Sequence, residues 1–286
     1  MMIKKFSEFI TEGMWGSALK RSNSGKERKD DEANRIQEFI NNQPESEYIY
    51  ITDDNVINSK SNITIRDTDL VDGKLPIKFG RVDGYFDCDG CPSLTSLEGA
   101  PQEVGGTFSC YNCHSLTSLK GSPQEVGRNF YCSECISLTT LEGAPKEVGG
   151  NFYCSECTSL TSLEGSPQEV WWNFICRNCT SLTSLEGAPK KVGGTFSCYK
   201  CTSLTSLKGG PQEVGGSFSC AGCTSLTSLE GAPQKVGWDF WCTHCTSLTS
   251  LKGAPKKVVG DFYCRDCPSL KSHEGAPKKI GGRFIN

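Results

Sequence analysis

Nine Cys-x-x-Cys pairs hold all 18 cysteines of the chain. Each pair follows the last by 22 residues, from Cys88 and Cys91 to Cys264 and Cys267. Three chemistries use such pairs. Two neighbouring pairs, such as Cys132/Cys135 and Cys154/Cys157, match the spacing of a zinc ribbon, where four thiolates surround one ion. One pair at a helix N-terminus beside a βαβ unit would be a dithiol redox site. Pairs buried in a core would do no chemistry, because free cysteine packs as a small hydrophobe.

Zinc would require the pairs to converge two by two. Nine pairs would leave one unmatched, and pairing should leave a 44-residue trace, yet every repeat looks like the next. Nothing around the pairs reads as a βαβ unit. The expectation is two ladders of buried thiols, with a zinc-binding or thiol-redox protein as the alternative. No metal site and no cofactor is assigned.

The elements that position these cysteines follow from the full repeat, F-x-C-x-x-C-x-S-L-T-S-L-x-G-A-P-x-x-V-G-G-x. Phe and the first Cys alternate, so both can point to one side of a short strand. Leu, Leu, Ala and Val add apolar anchors, and Gly-Ala-Pro and Gly-Gly supply turns. One rung cannot bury these groups alone, but stacked rungs cover each other. Strands about 4.8 Å apart give nine rungs a length of about 40 Å. Trp171, Trp172 and Trp238 stand at the Gly-Gly turn, where their rings are expected to pack on neighbouring rungs, with anchoring of a partner as the alternative.

Composition narrows the function. The formal net charge is -3, so no global pull toward nucleic acid is implied. The C-terminal third carries Lys190-Lys191, Lys256-Lys257 and Lys278-Lys279, read as a solvated basic edge. No stretch approaches the roughly 20 apolar residues of a membrane span, so no membrane is expected. The N-terminus lacks a secretory apolar core, so the chain is expected not to be secreted and its cysteines to stay reduced. The three histidines, His114, His244 and His273, share no motif. With no nucleophile–base pair, phosphate loop or carboxylate pair, an enzyme ranks last.

Phe108-x-Cys110-x-x-Cys113-x-x-Leu116 resembles the core of leucine-rich repeats, and Leu182 to Pro189 is similar to the LTSLPxLP segment of bacterial effector-type repeats. The likeness covers Phe86 to Asn286. It implies a mainly β fold: a parallel β-solenoid of leucine-rich-repeat type, nine to ten rungs, with strands on a concave face and turn-rich segments on the convex side. Four residues rather than three separate Val104 from Phe108, and the period departs from the usual 20.

Residues 46–85 read as a degenerate capping segment, through the alternation of Ile49, Ile51, Ile63 and Ile65 and the register of Leu75 and Val82 to Phe86. This forms a small N-terminal α+β cap on the solenoid of residues 86–286. At the other end His273 replaces a repeat leucine, and Phe284-Ile285 open a tenth strand. An open strand edge makes end-to-end self-association at the C-terminal rung a candidate. Residues 13–45 read as a basic linker and a short amphipathic helix with Ile36, Phe39 and Ile40 on one side.

The opening helix, residues 1–12, places Ile3, Phe6, Phe9 and Ile10 in a helical pattern. It resembles the capsid-targeting peptides of T-even-type bacteriophage internal head proteins, of the form M-K-x-F-x-E-F-I-x-E. The resemblance implies cleavage after Ile10-Thr11-Glu12 to leave Gly13 first. It also implies a location in the virion head, the host cytoplasm or both.

The scaffold positions barely vary between rungs, while the residue between Phe and Cys does: Asp87, Tyr131, Tyr153, Ile175, Trp241 and Tyr263 among them. Positions inside the Cys pairs vary too, including Tyr111, Arg177, Tyr199 and Arg265. A constant frame with a variable, aromatic, outward stripe is the pattern of a recognition surface. The leading expectation is a non-enzymatic phage protein that binds a protein partner through this strand face. The alternative is a structural head component without a host target.

Overall fold

The computed structural model describes residues 34–52 and 56–286. The fold is a parallel β-solenoid of about ten turns, with a small helical element at its N-terminal end. Helix α1 spans residues 34–41. Strands β1 (Ile49–Ile51) and β2 (Val56–Ser59) pair antiparallel. From there every pairing between strands is parallel, through β3 (Ile63–Thr64), β4 (Lys78–Val82) and β5 (Phe86–Asp87) into a regular series of two-residue strands, with one isolated antiparallel bridge between Val71 and Lys74. That series runs from β6 (Glu103–Val104) and β7 (Phe108–Ser109) to β22 (Lys279–Ile280) and β23 (Phe284–Ile285).

Each rung contributes two strands rather than one, and the strands sort into two sheets. The even-numbered strands form one sheet of 12 strands with β1, and the odd-numbered ones form a second sheet of 11. The sequence marks only the Phe-x-Cys strand. The extra one is the short Glu/Lys–Val segment just before the Gly-Gly turn. In β6 the valine is buried and Glu103 lies outside, and the pattern holds, with Glu or Lys outside, through β20 (Lys257–Val258), while Ile280 of β22 is only half-buried. The outer column of this first sheet reads Glu103, Glu125, Glu147, Glu169, Lys191, Glu213, Lys235, Lys257 and Lys279 in register.

Gly-Gly-x turns the corner between the sheets. An added Cβ at Gly193 would stand 2.0 Å from the carbonyl oxygen of Trp171 on the preceding rung, so the turn favours glycine there. The third corner residue is a short polar one. Asn173 Oδ1 accepts the Thr195 N–H at 2.7 Å, and Asp239 Oδ1 accepts the Asp261 N–H at 2.8 Å. From Asn129 onward each rung thereby satisfies a backbone donor of the next.

The Leu-Thr-Ser-Leu side has no named strand, yet it also links rungs. Thr139 donates its N–H and its hydroxyl to the Thr117 carbonyl at 3.1 and 3.2 Å. The second serine holds its own turn, as when Ser96 Oγ accepts the Glu98 N–H at 3.1 Å. These bonds explain why residues that carry no apolar weight recur in nearly every rung.

The core is a column of phenylalanines. From Phe86 to Phe262 every one is fully buried. Successive rings stack, with Phe152 and Phe196 lying 5.2 and 5.3 Å from Phe174 and tilted by 4° and 6°. Phe79 closes the stack with its edge on Phe86 at 5.0 Å, and Phe39 of α1 packs on Phe79 at 5.7 Å. Ile36 and Ile40 bury the rest of that helix face. The Gln43 amide serves the open edge of β3, donating to Thr64 O and accepting the Thr64 N–H, both at 2.9 Å. A paired edge does not recruit further strands. At the other end Phe284 is only half-buried, with the His273 ring edge-on at 5.0 Å.

Candidate functional site

The thiols come first, because their spacing raised the chemistry. All 18 are free and buried. The second cysteine of a pair donates to the backbone carbonyl of the first cysteine one rung back: Cys113 to Cys88 O, Cys157 to Cys132 O and Cys179 to Cys154 O, each at 3.1 Å. The first cysteine points forward, as Cys132 does to Tyr153 O at 3.4 Å. The sulfurs therefore form two ladders along the rod. Among the described residues no group of three or more His, Cys, Asp or Glu side chains is placed to hold a metal ion.

Burial pushes the thiols of Cys132, Cys154 and Cys242 well above their ordinary value. It raises Cys91 to about 12, and Cys264 and Cys267 to about 11. Hydrogen bonds from neighbouring thiols act the other way on Cys201 and Cys245. Both of those sulfurs are fully buried and donate to carbonyls, at 3.1 and 3.2 Å, which is the geometry of a neutral thiol. The ladders are packing.

Outside the second sheet lies the variable column. In-register pairing sets Asp87, Ser109, Tyr131, Tyr153, Ile175 and Ser197 side by side, then Ser219, Trp241, Tyr263 and Ile285. Two aromatic groups stand out. Tyr131 and Tyr153 stack at 4.8 Å, and Trp241 and Tyr263 at 3.6 Å, both nearly parallel. Asp87 and these four rings are half-buried, so they offer faces without losing support.

One member of the predicted set does not belong. Ile175 is only 8% exposed. Tyr153 flanks it on one side, and on the other Arg177 reaches across to Ser197 Oγ at 3.1 Å. A strand position that alternates outward is still covered when its neighbours, about 4.8 Å away, are larger.

The next column comes from the turn inside each Cys pair. Tyr111, Arg177, Tyr199 and Arg265 are exposed. The residue after each adopts left-handed backbone, including Asn112, Asn178, Lys200 and Asp266 at φ between 56° and 60°. That conformation turns the chain sharply and presents the preceding side chain beside the strand column. Lys200 Nζ lies 5.2 Å from the centre of the Tyr199 ring. Tyr111 bonds the Glu134 carboxylate, which raises its phenol.

Aromatics and acid converge at the N-terminal half of this face. A depression of about 370 Å³ is lined by Asp89, Ser109, Tyr111, Tyr131, Ser133 and Tyr153. It adjoins one of about 510 Å³ that reaches Asp87, Tyr85 and Arg128. Asp89 accepts the Tyr111 N–H at 2.8 Å and a bond from the Ser109 hydroxyl, while burial raises its carboxyl. Asp89 was absent from the predicted set. Its signal was available, since it occupies the variable position that Tyr111 fills one rung later.

The three corner tryptophans are also placed differently than expected. Trp171, Trp172 and Trp238 are 67%, 63% and 66% exposed, so most of each ring faces solvent rather than a neighbouring rung. The corner projects from the rod, so a large side chain there leaves the surface. Ile10, Glu12 and Gly13 lie outside the described residues. Searches of protein-family models, curated proteins and solved structures returned no match to this chain.

Proposed function

We propose that the protein is a non-enzymatic recognition solenoid that binds a protein partner through the outer face of its second sheet. The observation that carries this reading is the contrast between the two sides of one strand. Inward, phenylalanine and cysteine never change. Outward, stacked rings at Tyr131/Tyr153 and Trp241/Tyr263 alternate with serines, and an acidic, tyrosine-rich depression lies at one end. Rigid aromatic side chains held by neighbours lose little entropy on binding and are frequent anchors of protein interfaces. We read the rungs as leucine-rich-repeat type from their Phe-x-Cys-x-x-Cys-x-x-Leu run. From the opening segment we read the chain as a phage protein of the virion head or infected cell.

The test is affinity capture from infected cells with two forms of the protein. One is wild type; the other carries Tyr131→Ser, Tyr153→Ser, Trp241→Ser and Tyr263→Ser. Serine already fills this position at Ser109, Ser197 and Ser219, so the array keeps its fold. The reading expects a partner retained by wild type and lost by the variant, and it fails if the two capture the same set. The phage-head reading has its own readout: a virion-associated chain beginning at Gly13 supports it, and an intact Met1 contradicts it.

A further inference from the structure

The first sheet and its corner are not used by the face just described, and they carry an unexplained cost. At the corner, the ladder bond from Trp171 N to Val148 O is 3.4 Å, whereas the glycines in that column, such as Gly193 and Gly215, make theirs at 3.0 and 2.9 Å. Trp172 N to Gly150 O is 3.2 Å, against 2.8 Å for Gly216 to Gly194 O. The adjacent indoles Trp171 and Trp172 thus lengthen the ladder, whereas Trp238 N to Gly216 O stays at 3.0 Å, and all three rings remain mostly exposed. Exposed apolar groups gathered on one edge mark an interaction surface.

The order of charges along the same side supplies the partner's chemistry. Glu125 and Glu147 lie among acidic rungs and make no ion pair among the described residues, and Lys257 and Lys279 at the other end make none either. The middle is self-neutralised, through Lys191–Glu169 at 3.4 Å and Lys235–Glu213 at 2.9 Å. The column is therefore acidic over Glu125 and Glu147, with Glu103 already paired to Arg81, and basic over Lys257 and Lys279. A surface with that polarity complements itself when a second copy lies antiparallel.

We infer that this edge is the contact of an antiparallel homodimer, with its two-fold axis at the level of Lys191–Gly194. In an isologous contact a residue some rungs before the axis meets the residue as many rungs after it. The exact period fixes the partners. Glu125 faces Lys257, both without an ion pair among the described residues; Glu103, which also bonds Arg81, faces Lys279, and Glu147 faces Lys235, which also bonds Glu213. In the corner columns each indole faces a glycine: Trp172 meets Gly216, Trp171 meets Gly215, and Trp238 meets Gly150. One copy's Trp238 then falls a single rung from the other's Trp172, so the rings interleave. Ridge meets trough, and acid meets base toward the two ends of the column; at the axis Glu169 faces Glu213 and Lys191 faces its own copy, with Glu169 and Lys191 paired to each other and Glu213 to Lys235 within each chain.

Sedimentation equilibrium of the full chain over a concentration series tests this. The expected result is a dimer that loosens as salt rises and charges are screened. The W172G/W238G variant restores the repeat's own glycine, so it folds, and its dimer dissociation constant should rise about thirtyfold or more, as for lost interface anchors. E125K should also weaken the dimer, and adding K257E should restore it, because each copy then presents the reversed pair. A wild-type chain that stays monomeric at low salt overturns the proposal. So does a dimer indifferent to all three variants, the outcome that association through the open edge of β23 would give.

Discussion

Phe174→Ala removes the middle of the ring column, and its effect can be worked from the structure. Phe174 is fully buried and stacks on Phe152 at 5.2 Å and on Phe196 at 5.3 Å. Truncating a buried phenylalanine costs about 3–5 kcal/mol in transfer and cavity terms. The array has nothing to collapse into the gap, since its backbone is held by ladders on either side, so the upper part of that range applies. A solenoid is stabilised rung by rung through nearest neighbours. Losing the central contacts therefore also uncouples the two halves. Phe284→Ala is the internal control. That ring is half-buried with one stacked neighbour, Phe262 at 5.4 Å, so its loss should cost about 1–2 kcal/mol. Urea unfolding followed by tryptophan fluorescence reads both, because Trp171 and Trp172 report the centre and Trp238 and Trp241 the C-terminal half. The Phe174 variant should unfold in two separated transitions. Equal losses from the two variants, or a loss below about 1 kcal/mol for Phe174→Ala, would refute the column as the core.

Two further outcomes follow from the same geometry. Three thiols are raised in the fold, Cys91 to about 12 and Cys264 and Cys267 to about 11, from an ordinary value of 9.0, so folding favours the neutral form of these three. That stability is complete below pH 9 and is lost as pH climbs toward 11–12, because the unfolded chain gives up its protons first; each thiol should steepen the loss by about 1.4 kcal/mol per pH unit, measurable by urea unfolding across alkaline pH. Asn173→Ala leaves the Thr195 N–H without its corner acceptor and should lower stability by about 1–3 kcal/mol in the same assay, while Asn173→Thr, a residue the column already uses at Thr195, should lose much less.

Much of the architecture could be read from residue types alone. Phe86, Cys88, Cys91, Leu94 and Leu97 recur with one period, and all are fully buried. A constant period leaves stacking as the way to bury them. The second sheet was harder to see. Its strands are two residues long, so Glu103–Val104 offers no alternation to detect, and only the neighbouring rung reveals the pairing. The recognition face was legible as a list and less so as a surface. Tyr131 and Tyr153 were found by their variability, but Ile175 varies equally and is covered, because exposure on a parallel sheet depends on the size of the residues one rung away. Trp171 misled in the opposite direction. Its type suggests a buried ring, whereas its place on a projecting glycine corner exposes it.

The account rests on the claim that the cysteine pairs are core and that binding belongs to the surface outside them. Counting reactive thiols by intact mass, in the native and then the unfolded protein, tests it most directly. Eighteen thiols should react after unfolding and almost none before, matching the buried ladders. A count that falls short in steps of two would mean disulfides, and thiols that react in the native protein or release zinc on modification would mean that the pairs carry chemistry after all.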